Sequence, residues 1–219
     1  MDKAFWQERW QRHDIGFHQP HIHEQLKRLW PTLNIPQGSE VFVPLAGKSR
    51  DMAWLADQGH HIIGVELSDI AVAEFFEEAE LSPEQTSVGA FDIYSAAPFR
   101  LYCGDFFDLP AAALSGVRAA YDRAALIALP PHMRVRYAET LSRILPQDAC
   151  IFLISIEYPE HEIAGPPFSV RQQEIETLFG AHYSIDVLES RDGLAASDNL
   201  RKRGITRLEE TAYFLRRRA

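Results

Sequence analysis

Twice between residues 41 and 79 a short apolar run breaks at a small or acidic residue and gives way to an amphipathic stretch. Val41-Phe42-Val43-Pro44-Leu45 leads into Ala46-Gly47-Lys48, and Ser49 to Gln58 then sets Met52, Leu55 and Ala56 on one helical face before Gly59. His61-Ile62-Ile63-Gly64-Val65-Glu66-Leu67 reads as a second strand, with Ser68 or Asp69 capping a helix over Ile70 to Ala79. Strand, helix and strand in that order predict an α/β fold with a mostly parallel sheet, because parallel neighbours need a crossover between them.

The alternation continues along the chain. Strand signals return at Phe99–Cys103, Ala119–Asp122 and Ala149–Glu157, and a helix is predicted over Pro131–Leu145 with prolines at its start and past its end. A Pro-rich loop at Gly165-Pro166-Pro167 precedes a helix near Val170–Phe179, a strand near Tyr183–Leu188 and a final strand near Arg207–Leu215. Glu80 to Pro98 has weak periodicity and reads as a loop or small insertion. The expected organisation is a single domain, 1–219, with an N-terminal helical lid over 1–38 and an α/β core over 39–219.

Charge and cysteine usage narrow the function classes. Lys and Arg number 22 against 31 Asp and Glu, a net charge of −9, which argues against a protein built to grip phosphate backbones. Cys103 and Cys150 are too few for a disulfide framework and fit a reducing compartment. The best apolar run, Ala149 to Ile154, is six residues, well short of the ~18 needed to cross a bilayer. The amino terminus is charged, without an apolar signal segment. These features lead us to expect a cytoplasmic protein with no nucleic-acid or membrane partner, and a monomer is the simplest expectation.

Ligands of doubly wound sheets sit at the carboxyl ends of the strands. There the chain places Gly47, which lets backbone approach a ligand closely, and Glu66, nineteen residues on, near the ~20-residue offset at which an acid meets ribose hydroxyls. Gly104-Asp105-Phe106 adds an acid and an aromatic ring, and Tyr121-Asp122-Arg123 a cation. Each has a structural counterpart: Gly47 as a turn, Glu66 as an acid at a helix N-terminus, Asp105 as a cap, Arg123 as an ion-pair partner. Gly47-Lys48-Ser49 resembles the tail of a phosphate-binding loop, but residue 42 is Phe where that loop needs Gly, and no GxGxxG is present. A ribose-binding acid without a pyrophosphate loop points to a nucleoside ligand lacking a diphosphate, of which S-adenosylmethionine is the common one. His21 and His23 have no set of partners at metal-ligand spacing, so no metal is expected. Glu74, Glu77, Glu78 and Glu80 read as a solvated acidic face and Arg216-Arg217-Arg218 as a solvated tail.

Trp6-Gln7-Glu8-Arg9-Trp10, Phe17-His18-Gln19, Val41 to Lys48, Gly64-Val65-Glu66-Leu67-Ser68, Tyr121 to Leu126, Gly165-Pro166-Pro167-Phe168 and Ile175 to Gly180 together resemble the thiopurine S-methyltransferase family over nearly the whole chain. The resemblance implies a class I methyltransferase fold, Rossmann-like, with a seven-stranded sheet whose last strand is antiparallel and helices on both faces. It implies S-adenosylmethionine as methyl donor and a small aromatic or heterocyclic thiol as acceptor, with selenium or tellurium species as a second acceptor class linked to detoxification. Trp10, Leu45, Glu66 and Arg123 would line the cofactor site, with Phe17, Gly47, Asp105 and Phe106 as further contacts. Arg123 would also stabilise the reacting thiolate. Phe5, Trp6, Trp10 and Phe17 would form the lid. Where relatives place a substrate-facing arginine, this chain has Asn199, with Arg201 and Arg203 nearby.

Overall fold

A computed structural model describes residues 3–218, which cluster into two compact units. Met1 and Asp2, the start of the predicted lid, and Ala219, the end of the predicted core, lie outside the described residues. The first unit runs to Tyr121 and includes Ile144–Pro146; the second comprises Asp122–Arg143 and the chain from Gln147 onward.

In the first unit, helices α1 (Lys3–Gln11) and α2 (Glu24–Leu29) precede β1 (Glu40–Pro44), α3 (Arg50–Asp57), β2 (His61–Glu66) and α4 (Asp69–Glu78). Then come β3 (Glu84–Val88), β4 (Phe91–Ala96), β5 (Phe99–Cys103) and β6 (Val117–Asp122). Strand β1 pairs in parallel with β2 and with β6, and β2 pairs in parallel with β5. The chain steps outward from β1 to β2 and β5, then returns to the other side of β1 through β6, which makes a switch point beside β1. Val41, Phe42, Ile62, Val65, Leu101 and Ala119 are all buried. Strands covered on both faces read as continuous apolar runs rather than alternating ones, which is why these were visible in the sequence.

The stretch expected as a loop or small insertion, 80–98, is an insertion that contains an antiparallel hairpin. β3 pairs with β4, and β4 with β5, so the described residues hold nine strands rather than seven. Every residue of β3 is exposed. A strand with no buried face carries no apolar alternation, and its sequence signal is lost.

The second unit continues with α5 (Ala125–Ala128), α6 (Pro131–Ile144), β7 (Cys150–Glu157), α7 (Gln172–Phe179), β8 (Tyr183–Asp192), α8 (Asp198–Lys202) and β9 (Glu209–Arg217). β9 pairs antiparallel with both β7 and β8, as the final strand was expected to run. Ile151, Phe152 and Leu153 of β7 are fully buried, as are Tyr137 and Leu141 of α6 and Ile175 and Phe179 of α7. Arg134, 2% exposed, is satisfied by the Leu129 carbonyl at 2.9 Å and both Glu174 oxygens at 2.7 Å.

The predicted arginine tail is a correction. Arg216 pairs with Asp186 at 2.6 Å, Arg217 donates to the Ser142 carbonyl at 2.7 Å and lies over the Tyr183 ring, and Arg218 donates to the Gly180 and Tyr183 carbonyls. These side chains brace the end of the last strand. The acidic face is a second: Glu74 and Glu78 both hold the Lys48 ammonium, at 2.8 and 2.7 Å, while Glu77 and Glu80 are solvated.

Candidate active site

The first unit gathers seven of the predicted residues around the carboxyl ends of β1, β2 and β5. Leu45 follows β1 with φ +46°, and Gly47 has φ +53°. A left-handed leucine costs about 1–2 kcal/mol and persists only where its surroundings enforce it. Two such residues flanking Ala46, whose amide donates to the Val65 carbonyl at 2.9 Å, fold the turn tightly against β2.

Glu66 enforces that turn. The side chain is 7% exposed; Oε2 accepts from the Gly47 amide at 2.7 Å and Oε1 from the Ser68 amide at 2.9 Å. Burial pushes the carboxyl above its ordinary range, partly offset by hydrogen bonds from the Ser68, Gly47 and Leu67 amides. The residue expected to face a ligand is thus also the clip between the β1 turn and the start of α4. With about four acceptor positions on a carboxylate, three amides leave room for a hydroxyl. That spare capacity, with left-handed backbone beside it, fits a ribose-bearing ligand such as S-adenosylmethionine.

The N-terminal aromatics form a continuous edge-to-face chain. Phe5 meets Trp6 at 5.2 Å, Trp6 meets Phe17 at 5.4 Å, and Phe17 meets Trp10 at 5.6 Å between ring centroids. Arg9 lies over the Phe5 and Phe17 rings and is held by Asp14. Trp10 is buried, and a Cβ on Gly47 would stand 3.4 Å from its indole. Side chains thus bring Trp10, Phe17, Gly47, Leu45 and Glu66 into one neighbourhood. Asp105 joins it through Lys3, 2.8 Å away, while its other oxygen caps Phe107 at 2.9 Å. Phe106 is buried against Phe42, centroids 6.5 Å apart and stacked, and meets Phe107 edge-on.

Arg123 belongs to the second unit, half-buried directly after β6. Its neighbour Asp122 is the feature that sequence reasoning passed over. Only 1% exposed, Asp122 accepts from the Tyr137 hydroxyl at 2.6 Å and from the Ala125 and Leu126 amides at 3.1 and 3.2 Å. Burial pushes its carboxyl up to about 6, against the pull of these three donors. A second missed acid, Asp51, is buried in the first turn of α3 and joins the His23 amide at 2.8 Å to the Tyr121 hydroxyl at 2.9 Å. Asp51, in the first turn of α3, reads as a solvated cap, and Asp122, at the end of β6, reads as an ion-pair partner for Arg123, so neither had a signal for its buried partners. Near the C-terminus Arg201 pairs with Asp198 on its own helix, whereas Arg203 donates to the Pro166 carbonyl of the Pro-rich loop at 2.8 Å.

Both cysteines are free thiols that burial pushes up to about 11, protonated and poorly nucleophilic near neutral pH. Among the described residues no group of three or more His, Cys, Asp or Glu side chains could hold a metal ion, and no helix is long and apolar enough to cross a membrane.

The fold is that of the S-adenosylmethionine-dependent class I methyltransferases. It superimposes on 1,6-didemethyltoxoflavin-N1-methyltransferase of Burkholderia thailandensis, solved with S-adenosylhomocysteine, with a TM-score of 0.66 at 15% identity, covering 99% of this chain and 87% of that one. A SAM-dependent methyltransferase of Anabaena variabilis gives 0.66 at 13% identity, covering 99% and 95%. Likeness at those identities defines the fold alone. Within that class the chain belongs to the thiopurine S-methyltransferase family, whose profile matches residues 1–218. Thiopurine S-methyltransferases of Azotobacter vinelandii and Pseudomonas fluorescens are 47% and 46% identical to it over 218 and 217 residues, covering 100% and 99% of each chain.

Proposed function

We propose that the protein transfers a methyl group from S-adenosylmethionine to the sulfur of a small aromatic or heterocyclic thiol. The observation that carries this reading is the Glu66 clip: a buried carboxylate at the end of β2, held by the Gly47 and Ser68 amides, beside a left-handed Leu45. When bound, the cofactor supplies an electrophilic methyl on a sulfonium. The chain's part is to align the acceptor and exclude water, and no covalent nucleophile is required.

In this reading Glu66 accepts a ribose hydroxyl, the turn from Leu45 to Gly47 offers backbone, and Trp10 and Phe17 wall the cofactor, with Asp105 and Phe106 as further contacts. Residues 1–38 act as a lid on a single methyltransferase domain. Arg123, assigned through the family resemblance, is a cation that stabilises and selects a thiolate acceptor. An aromatic thiol is already largely ionised near neutral pH, so no dedicated general base is needed. Selenium or tellurium species form a second acceptor class, giving a detoxification role. The protein acts in the cytoplasm as a monomer, without nucleic-acid or membrane partners.

Calorimetry with S-adenosylmethionine and S-adenosylhomocysteine, followed by a radiolabelled methyl assay on thiopurines, selenite and tellurite, tests the reading. Cofactor binding with label appearing in a thiopurine supports it. Failure of both cofactor forms to bind, or binding without transfer to any thiol, contradicts it.

A further inference from the structure

A solvent-facing Asp, Asn or Ser is enough to cap a short helix. The cap of α5 is built differently. Its own N-cap position, Ala124, provides no side chain for the task, and the first turn of α5 has no acid. Asp122, two positions earlier, reaches forward over Arg123 and Ala124 to the amides of Ala125 and Leu126. The loop it closes contains Arg123, so the carboxylate defines the backbone from which that guanidinium departs. The other carboxylate oxygen is locked by the Tyr137 hydroxyl from α6, and Tyr137 is itself fully buried. A carboxylate this buried, held by one phenol and two amides, is costly to keep ionised. The arrangement is over-built for a four-residue helix.

We infer that Asp122, ordered by Tyr137, is a positioning residue for Arg123: it holds the 122–126 turn in the single shape that presents the guanidinium for catalysis. The inference rests on the proposed role of Arg123. It also accounts for the order of the Tyr121-Asp122-Arg123 run, in which the acid precedes the cation instead of pairing with it across a helix turn. Asn can reproduce the device in part. Its Oδ1 accepts the two amides while its Nδ2 donates to a reoriented Tyr137 hydroxyl.

Steady-state kinetics of Asp122→Ala, Asp122→Asn, Arg123→Ala and the double variant Asp122→Ala/Arg123→Ala test the inference, with a melting curve for each. We expect kcat/KM to fall at least tenfold in Arg123→Ala and in Asp122→Ala, and to return to within about threefold of the parent in Asp122→Asn. In the Arg123→Ala background the Asp122→Ala change should cost no further activity, while its effect on the melting temperature persists. Fully multiplicative losses in the double variant would overturn the positioning role and leave the reading of Arg123 standing. Parent-like activity in Arg123→Ala would overturn both. If Asp122→Ala does not fold, Tyr137→Phe serves in its place: a several-fold loss of kcat/KM that vanishes in the Arg123→Ala background supports the inference, and a loss that persists there overturns it.

Discussion

Glu66 and Asp122 are both acids at the carboxyl end of a buried parallel strand, both held by backbone amides and both pushed upward by burial. They differ in what they hold. Glu66 reaches back nineteen residues to the amide of Gly47 and so ties two strand ends of the first unit together. Asp122 reaches forward only three and four residues and orders its own turn, with Tyr137 as a side-chain donor. The same chemical group at the same kind of address thus ties two strand ends together in one unit and orders its own turn in the other. Strand-end acids of this fold are distinguished by their partners rather than by their position.

The largest effect expected from this comparison is on the pH dependence of stability. Asp122 has a folded value of about 6 against an ordinary 3.8, so between those values the folded state binds more protons than the unfolded one. Stability therefore falls as pH rises through that window, by up to about 3 kcal/mol at roughly 1.4 kcal/mol per unit. Glu66 acts in the same direction. Denaturant unfolding of Asp122→Asn from pH 4 to 7 should show a flatter profile than the parent, with the Glu66 component remaining. An unchanged profile would mean that Asp122 is not the buried proton acceptor described.

Tyr137→Phe isolates the side-chain donor that Glu66 lacks. Removing a hydrogen bond to a charged, buried acceptor should cost about 1.5–3 kcal/mol at pH 7, with a smaller cost at pH 4, where the carboxyl is neutral. Equal costs at both values would deny Asp122 its charge. Gly47→Ala probes the long reach of Glu66. A left-handed φ of +53° should cost the alanine variant about 1–2 kcal/mol, read as a lowered melting temperature, with weaker cofactor binding as the strained turn relaxes away from its present shape. The smallest effect belongs to Asp105, a third strand-end acid, which is partly exposed and faces Lys3. Lys3→Ala should change stability by less than about 1 kcal/mol, and the change should shrink in high salt.

Much of this was legible in the residues. β1 and β2 announced themselves because strands buried on both faces must be apolar throughout, and the helix starts were read at Ser49 and at Ser68 or Asp69, where the Ser49 and Ser68 hydroxyls accept the Asp51 and Ala71 amides. The nineteen-residue offset from Gly47 to Glu66 was read as that of a ribose-binding acid; the hydrogen bond that joins the two residues was not read from it. The β3–β4 hairpin was not legible, since its first strand buries nothing. Nor were Asp51 and Asp122: their partners Tyr121 and Tyr137 stand 70 and 15 residues away, and only the packed chain brings those hydroxyls to them. Arg217 read as part of a charged tail because a cation stacked on Tyr183 and a cation in water are the same letter.

The measurement closest to the central claim is calorimetric titration of S-adenosylhomocysteine into the parent protein and into Glu66→Ala. One equivalent should bind the parent. The variant should lose ~1–3 kcal/mol of affinity, through the missing hydroxyl contact and the released Gly47 turn. Equal affinities for the two proteins would show that the carboxyl end of β2 is not the cofactor site.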